Sequence, residues 1–78
     1  MPTWVKIRHP QNDENDDDSP GRPYLIRLGA KYDGSLYDSY TEDGNPGVEI
    51  MFPHMDNAAR FVAEVKSTFK GTTFDSWV

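Results

Sequence analysis

The stretch MDNAARFVAEVKSTFKG, residues 55–71, constrains the fold more than any other. Ala58, Phe61, Val62, Val65 and Phe69 recur at three- and four-residue intervals, so a helix would align them in one apolar stripe. Asp56 is the expected N-cap, because its carboxylate can accept the free amides of the first turn and favours the positive end of the dipole. Arg60 and Glu64 are spaced to pair on the outer side, and Lys70-Gly71 suit the end of the helix. A stripe this apolar needs a surface to cover it. The other apolar residues of the chain largely alternate, so that surface is expected to be a sheet.

TWVKIR, residues 3–8, alternates, with Val5 and Ile7 toward a core and Lys6 and Arg8 toward water, Trp4 sharing their side. Residues 10–22 follow as an acidic, proline-containing connection through which neither helix nor strand persists, with the composition of a mobile loop. YLIRLGAKY reads as a second strand, Tyr24, Ile26, Leu28, Ala30 and Tyr32 falling on one face and Arg27 and Lys31 on the other. Asp33-Gly34 and the cluster Asp43 to Gly47 are turn signals, since glycine accepts a positive φ. They predict hairpins joining 23–32 to a strand near 35–41, and that strand to VEIMF at 48–52. The tail TTFDSWV is rich in β formers and reads as a last strand.

The expected fold class is α+β: a small antiparallel β-sheet of about four to five strands, in β-β-β-β-α-β order, with one α-helix packed on one face. Trp4, Leu25, Met51 and Trp77 are expected on the other face. At 78 residues the chain is a single domain, 1–78. It has no cysteine, so neither disulfides nor thiolate metal sites supplement the core. With no leader-like stretch at the N-terminus and no segment as apolar as a membrane span, the expected location is cytoplasmic.

Thirteen acids against eight bases give a net charge of −5, the wrong sign for direct nucleic-acid binding. The charges are also segregated. No Lys or Arg occurs between Lys31 and Arg60, or between Arg8 and Arg22, while Asp13, Glu14, Asp16, Asp17 and Asp18 crowd the second interval. That run fails the EF-hand pattern, whose sixth and twelfth positions, counted from Asp13, are Asp18 and Tyr24 rather than Gly and Glu. His9 and His54 are the only histidines, too few for a zinc site. They read as a strand-end and a pre-helix residue. No phosphate-loop spacing occurs and no nucleophile stands at a recognisable spacing from a base, so no enzyme activity, cofactor or metal is expected.

YDGSLYDSYTED, residues 32–43, interleaves tyrosines with acids and contains no base. Tyrosine offers contact area with few rotatable bonds, and carboxylates beside it steer a basic partner. The expected partner-binding set is Asp16, Asp17, Asp18, Asp33, Tyr37, Asp38, Tyr40, Glu42 and Asp43, with alternation placing Tyr37 and Tyr40 on opposite faces. The expected function is that of a non-enzymatic module that docks on the basic surface of a nucleic-acid-handling protein, in part as a nucleic-acid mimic. In size, acidity and lack of cysteine the chain looks like inhibitors encoded by phages or mobile elements, a resemblance of type that no motif carries. The alternative is an accessory subunit or homodimer that uses the apolar second face of the sheet.

Overall fold

The computed structural model describes residues 1–77. Its elements run β1 (Thr3–Arg8), α1 (Arg22–Lys31), β2 (Ser35–Glu42), β3 (Asn45–Phe52), α2 (Met55–Thr68) and β4 (Phe74–Trp77). The four strands form one sheet in the order β2-β3-β1-β4, and each neighbouring pair is antiparallel. This is a small α+β fold with an open sheet. The first strand, the β2–β3 hairpin, the long helix and the last strand lie where alternation, turn residues and the apolar stripe place them. Val78 of the expected last strand lies outside the described residues.

The segment 23–32 is a helix, not a strand. Its apolar residues fit both periods, since Leu25, Leu28 and Tyr32 lie at helical intervals while Tyr24, Ile26, Leu28 and Ala30 alternate. Two physical features decide between them. Pro23 occupies the first helical turn, where its missing N–H costs nothing. The sheet also demands a second cover: four strands at about 4.8 Å span roughly twice the width that one helix of about 10 Å can shield. Both helices therefore lie on the same face, α1 against β2 and β3, α2 against β1 and β3. β3 sits between β1 and β2, which gives the split β-α-β arrangement twice over.

The core is a single cluster. Val5, Ile7, Val48, Ile50 and Phe52 from the sheet meet Leu25 and Leu28 from α1 and Ala58, Phe61, Val62 and Val65 from α2, with the Phe52 and Phe61 rings 5.0 Å apart. Each of these side chains larger than alanine contributes about 1.5–3 kcal/mol by leaving water. Leu25 is thus fully buried rather than on the far face. Trp77 stands opposite Val5 and packs half-buried against the core, so of the residues expected on the far face only Trp4 and Met51 lie there.

The turns depart from expectation in an informative way. Asp33-Gly34 does not close a hairpin but stops α1: the Gly34 amide donates to the Gly29 carbonyl at 2.7 Å and the Asp33 amide to Ala30 at 3.1 Å, with Asp33 at φ 66°. That is a Schellman stop with aspartate in the left-handed position usually held by glycine. Asp43 and Gly44, at φ 53° and 80°, close the β2–β3 hairpin, both in the left-handed region that a two-residue turn requires. At α2 the N-cap is His54, with no side-chain cap, and Asp56 lies within the first turn, where it complements the dipole without capping. Glu64 does not serve Arg60 as expected. It accepts hydrogen bonds from Lys31 Nζ at 3.1 Å and Tyr32 Oη at 2.5 Å, tying α2 to the end of α1. The Tyr32 phenol, then the Lys31 ammonium, hold the Glu64 carboxyl below the usual carboxylate range.

Candidate functional site

β1, β2, β3 and β4 converge on one end of the sheet, where β1 finishes at Arg8, the β2–β3 hairpin turns at Asp43-Gly44, and β4 begins at Phe74. The 10–22 connection leaves β1 at this end and is folded by its own short polar side chains. Asn12 Oδ1 accepts the Glu14 amide at 3.1 Å, Asn15 Oδ1 accepts the Gly21 amide at 2.6 Å, and the Asp16 amide donates to the Ser19 carbonyl at 2.9 Å. The first is the local side-chain turn that Asn favours, the second draws the two ends of the loop together, and the third is a backbone turn. Pro20 is fully buried. The Gly71 amide donates to the Asp18 carbonyl at 2.9 Å, so close an approach that a side chain on Gly71 would strike Asp18. Across the end, Gln11 Nε2 reaches the Gly44 carbonyl at 3.4 Å and the His9 amide donates to Pro46.

The consequence is that two acidic tracts far apart in sequence share one end of the molecule. Asp16, Asp17 and Asp18 on the connection and Glu42 and Asp43 on the hairpin are brought together there, with Asp13 and Glu14 beside them, all exposed. Asp33 is not part of this group: it sits in the α1–β2 turn at the opposite end. Tyr37, Asp38 and Tyr40 lie between, on the helix-free face of β2.

Tyr37 and Tyr40 do not lie on opposite faces. A bulge shifts the β2–β3 register between Leu36 and Asp38, so Leu36 opposes Ile50 while Asp38 opposes Glu49 and Tyr40 opposes Gly47. The extra residue cancels one step of alternation. Tyr37 then packs edge-on against Trp4, ring centroids 6.2 Å apart, and these two are 62% and 39% exposed, an apolar patch on the open face.

Tyr40 lies flat across the sheet. Its ring occupies the space above Gly47 that any side chain there would take, and Lys6 Nζ stands 5.1 Å from its centroid. Its hydroxyl donates to Asp75 Oδ2 at 2.6 Å, and the same carboxylate receives both Arg8 Nε at 3.0 Å and Arg8 Nη2 at 2.9 Å. One carboxylate on β4 thereby fastens side chains of β1 and β2. The Arg8 guanidinium holds the Asp75 carboxyl below its ordinary range against the opposing effect of burial. Burial, then the hydrogen bond to Asp75, pushes the Tyr40 phenol well above the ordinary tyrosine range.

His9 is the least conspicuous member of this end in the sequence. Its side chain is only 4% exposed, with Nδ1 2.9 Å from the Pro10 carbonyl and 3.4 Å from Asp13 Oδ1. The carbonyl can only accept, so Nδ1 donates to it. His9 lines a cleft of about 220 Å³ together with Arg8, Asp16, Ser19, Asn45 and Thr73. Arg8, Lys6, His9, Gly47 and Asp75 were outside the expected contact set. Only the Gly47–Tyr40 pairing had a sequence signal, a glycine within a β run, which marks a close approach.

Among the described residues, no group of three or more His, Cys, Asp or Glu side chains is placed to hold a metal ion, and no helix is long and apolar enough to cross a membrane. No protein-family model, no curated protein and no solved structure matches the chain.

Proposed function

We propose that the protein is a small, non-enzymatic binding module whose acidic end docks on a basic surface of another protein, one built to hold nucleic acid. There it competes with DNA or RNA and so inhibits the partner. The observation that carries this reading is the convergence of the 13–18 and 42–43 carboxylates on one end, held by backbone hydrogen bonds of His9 and Asp18 and by the Gln11 side chain rather than left to diffuse apart. Carboxylates a few ångströms apart on a folded frame can occupy phosphate subsites, and their summed field accelerates encounter with a basic groove. The test is a capture assay in a salt series with the wild-type chain and a variant carrying Asp16→Asn, Asp17→Asn, Asp18→Asn, Glu42→Gln and Asp43→Asn. Capture that weakens steeply with salt, is displaced by nucleic acid and is lost in the variant supports the reading. Capture unchanged in the variant refutes it.

A second reading, an accessory subunit or homodimer, is favoured by one specific observation: the exposed Trp4–Tyr37 pair on the open face. It predicts an association that is insensitive to salt and abolished by Trp4→Ala with Tyr37→Ser, measured by sedimentation velocity.

A further inference from the structure

The open face of the sheet carries a strip of apolar side chains across three strands. Trp4 of β1 opposes Met51 of β3, and Tyr37, displaced by the β2 bulge, reaches over β3 to meet the Trp4 ring at 6.2 Å. Leu36 adds exposed apolar surface at the outer edge of β2. Met1, just before β1, and Met55, at the start of α2, bring the other two methionines to the same end of the molecule. Among the described residues, all the large hydrophobic side chains that are exposed therefore gather at the end opposite the acidic one. Aromatic rings beside adaptable methionines are the composition of a contact surface.

The width and charge of the strip say what covers it. From β1 across β3 to β2 are two interstrand spacings, about 10 Å, the diameter of a single helix. The border is acidic. Asp33 precedes β2, Asp38 and Glu49 oppose one another in the next row, and none of the three is in an ion pair among the described residues. Of the bases on this face, Arg8 is held by Asp75, and Lys6 stands 5.1 Å from the Tyr40 ring, toward the acidic end. A second copy of the chain is a poor match: it brings the same carboxylates and a net charge of −5, and the apolar stripes of both its helices are already packed in its own core. An anionic lipid surface meets the same repulsion.

We propose that this strip receives one basic amphipathic helix of a partner protein, with apolar side chains down on Trp4, Tyr37 and Met51 and Lys or Arg toward Asp33, Asp38 and Glu49. The helix forms a third layer on the open face, as α1 and α2 cover the other. The apolar contact supplies most of the affinity, and the exposed border selects for a basic partner. The inference rests on the second reading above, that the open face is a contact surface, and assigns that surface its occupant.

The test uses the isolated chain and a helical peptide of leucine and lysine, with leucine at i, i+3, i+4 and i+7, followed by the Trp4 indole and methionine methyl resonances in NMR titrations. Saturable shifts confined to the strip are expected. Tyr37→Ser, at an exposed position, should weaken binding about tenfold, and Asp38→Asn about threefold. Asp16→Asn with Asp17→Asn and Asp18→Asn should leave it unchanged. A counterpart peptide with glutamate for lysine that binds equally overturns the basic occupant, and one with serine for leucine that binds equally overturns the apolar contact. Loss of binding in the Asp16, Asp17 and Asp18 variant places the peptide at the acidic end and overturns the site. A chain that ignores the peptide but self-associates through Trp4 and Tyr37 overturns the helix and leaves the second reading standing as a homodimer. A strip that neither binds the peptide nor associates overturns both.

Discussion

Asp75 shows how much one carboxylate organises on a face that has no helix to cover it. It is joined by Arg8 from the neighbouring strand and by Tyr40 from the strand at the other side of the sheet. The stability it confers has a defined pH sign. The folded-state carboxyls of Asp75 and Glu64 are lowered, so their contribution is complete above the unfolded values, about 4, and is lost as pH falls. The Tyr40 phenol is raised, so its contribution is complete below the unfolded value, about 10, and is lost as pH rises through the folded one. Thermal unfolding across pH should therefore show an acid limb that flattens in Asp75→Asn and an alkaline limb that flattens in Tyr40→Phe. Tyr40→Phe should also cost about 1 kcal/mol at neutral pH in urea unfolding. Gly47→Ala places a methyl group where the Tyr40 ring lies, 2.6 Å from its Cε1 and Oη and closer still to Cζ, and should cost about 1–3 kcal/mol while releasing that tyrosine to titrate nearer its ordinary range. Apart from the glycine at 47, none of this was legible beforehand. Alternation says which side of a strand Tyr40 takes, but not that it reaches across two intervening strands to a partner 35 residues away.

At the scale of elements, legibility followed the number of signals that agreed. In β1 the alternation of Val5 and Ile7 with Lys6 and Arg8 had no rival, and in α2 the stripe Ala58, Phe61, Val62, Val65 had none either. In α1, Tyr24, Leu25, Ile26 and Leu28 satisfy both periods, and the tie is broken by the need to cover the β2–β3 side of the sheet, a tertiary demand. Pro23 was the local hint. Misreading that segment also turned Asp33-Gly34 from a helix stop into a hairpin. The stop itself yields a test. Asp33 holds a left-handed conformation at φ 66°, which costs a non-glycine residue about 1 kcal/mol, so Asp33→Gly should stabilise the protein by a comparable amount in urea unfolding. The β2 bulge was invisible for another reason: a bulge is a property of pairing, and nothing in SLYDSYT marks Tyr37 as the unpaired residue.

For the whole molecule, the convergence of the two acidic tracts follows from topology. With β1 and β2 parallel to one another and β3 between them, the connection leaving β1 and the hairpin leaving β2 must emerge at the same end. Read in isolation, the tracts at 13–18 and 42–43 gave charge but not adjacency, and Asp33 could not be told apart from its neighbours. Crowded carboxylates repel, so replacing Asp16, Asp17 and Asp18 by Asn should raise the melting temperature at low ionic strength, with the difference shrinking as salt is added. The outermost position of β2 carries one more consequence. Glu42 and Asn45 close a two-residue turn, so the main-chain groups of Ser39 point outward, and its amide is already taken by Asp38 Oδ1 at 2.9 Å. Together with the bulge beside it, this leaves a poor template for a ninth-hour recruit: a further strand, from a second copy or from a fibril, finds its docking hydrogen bond occupied and a negative charge in the way. Asp38 thereby acts as a guard against self-templated assembly, and concentrated Asp38→Val should form thioflavin-binding aggregates under conditions in which the parent chain stays dispersed.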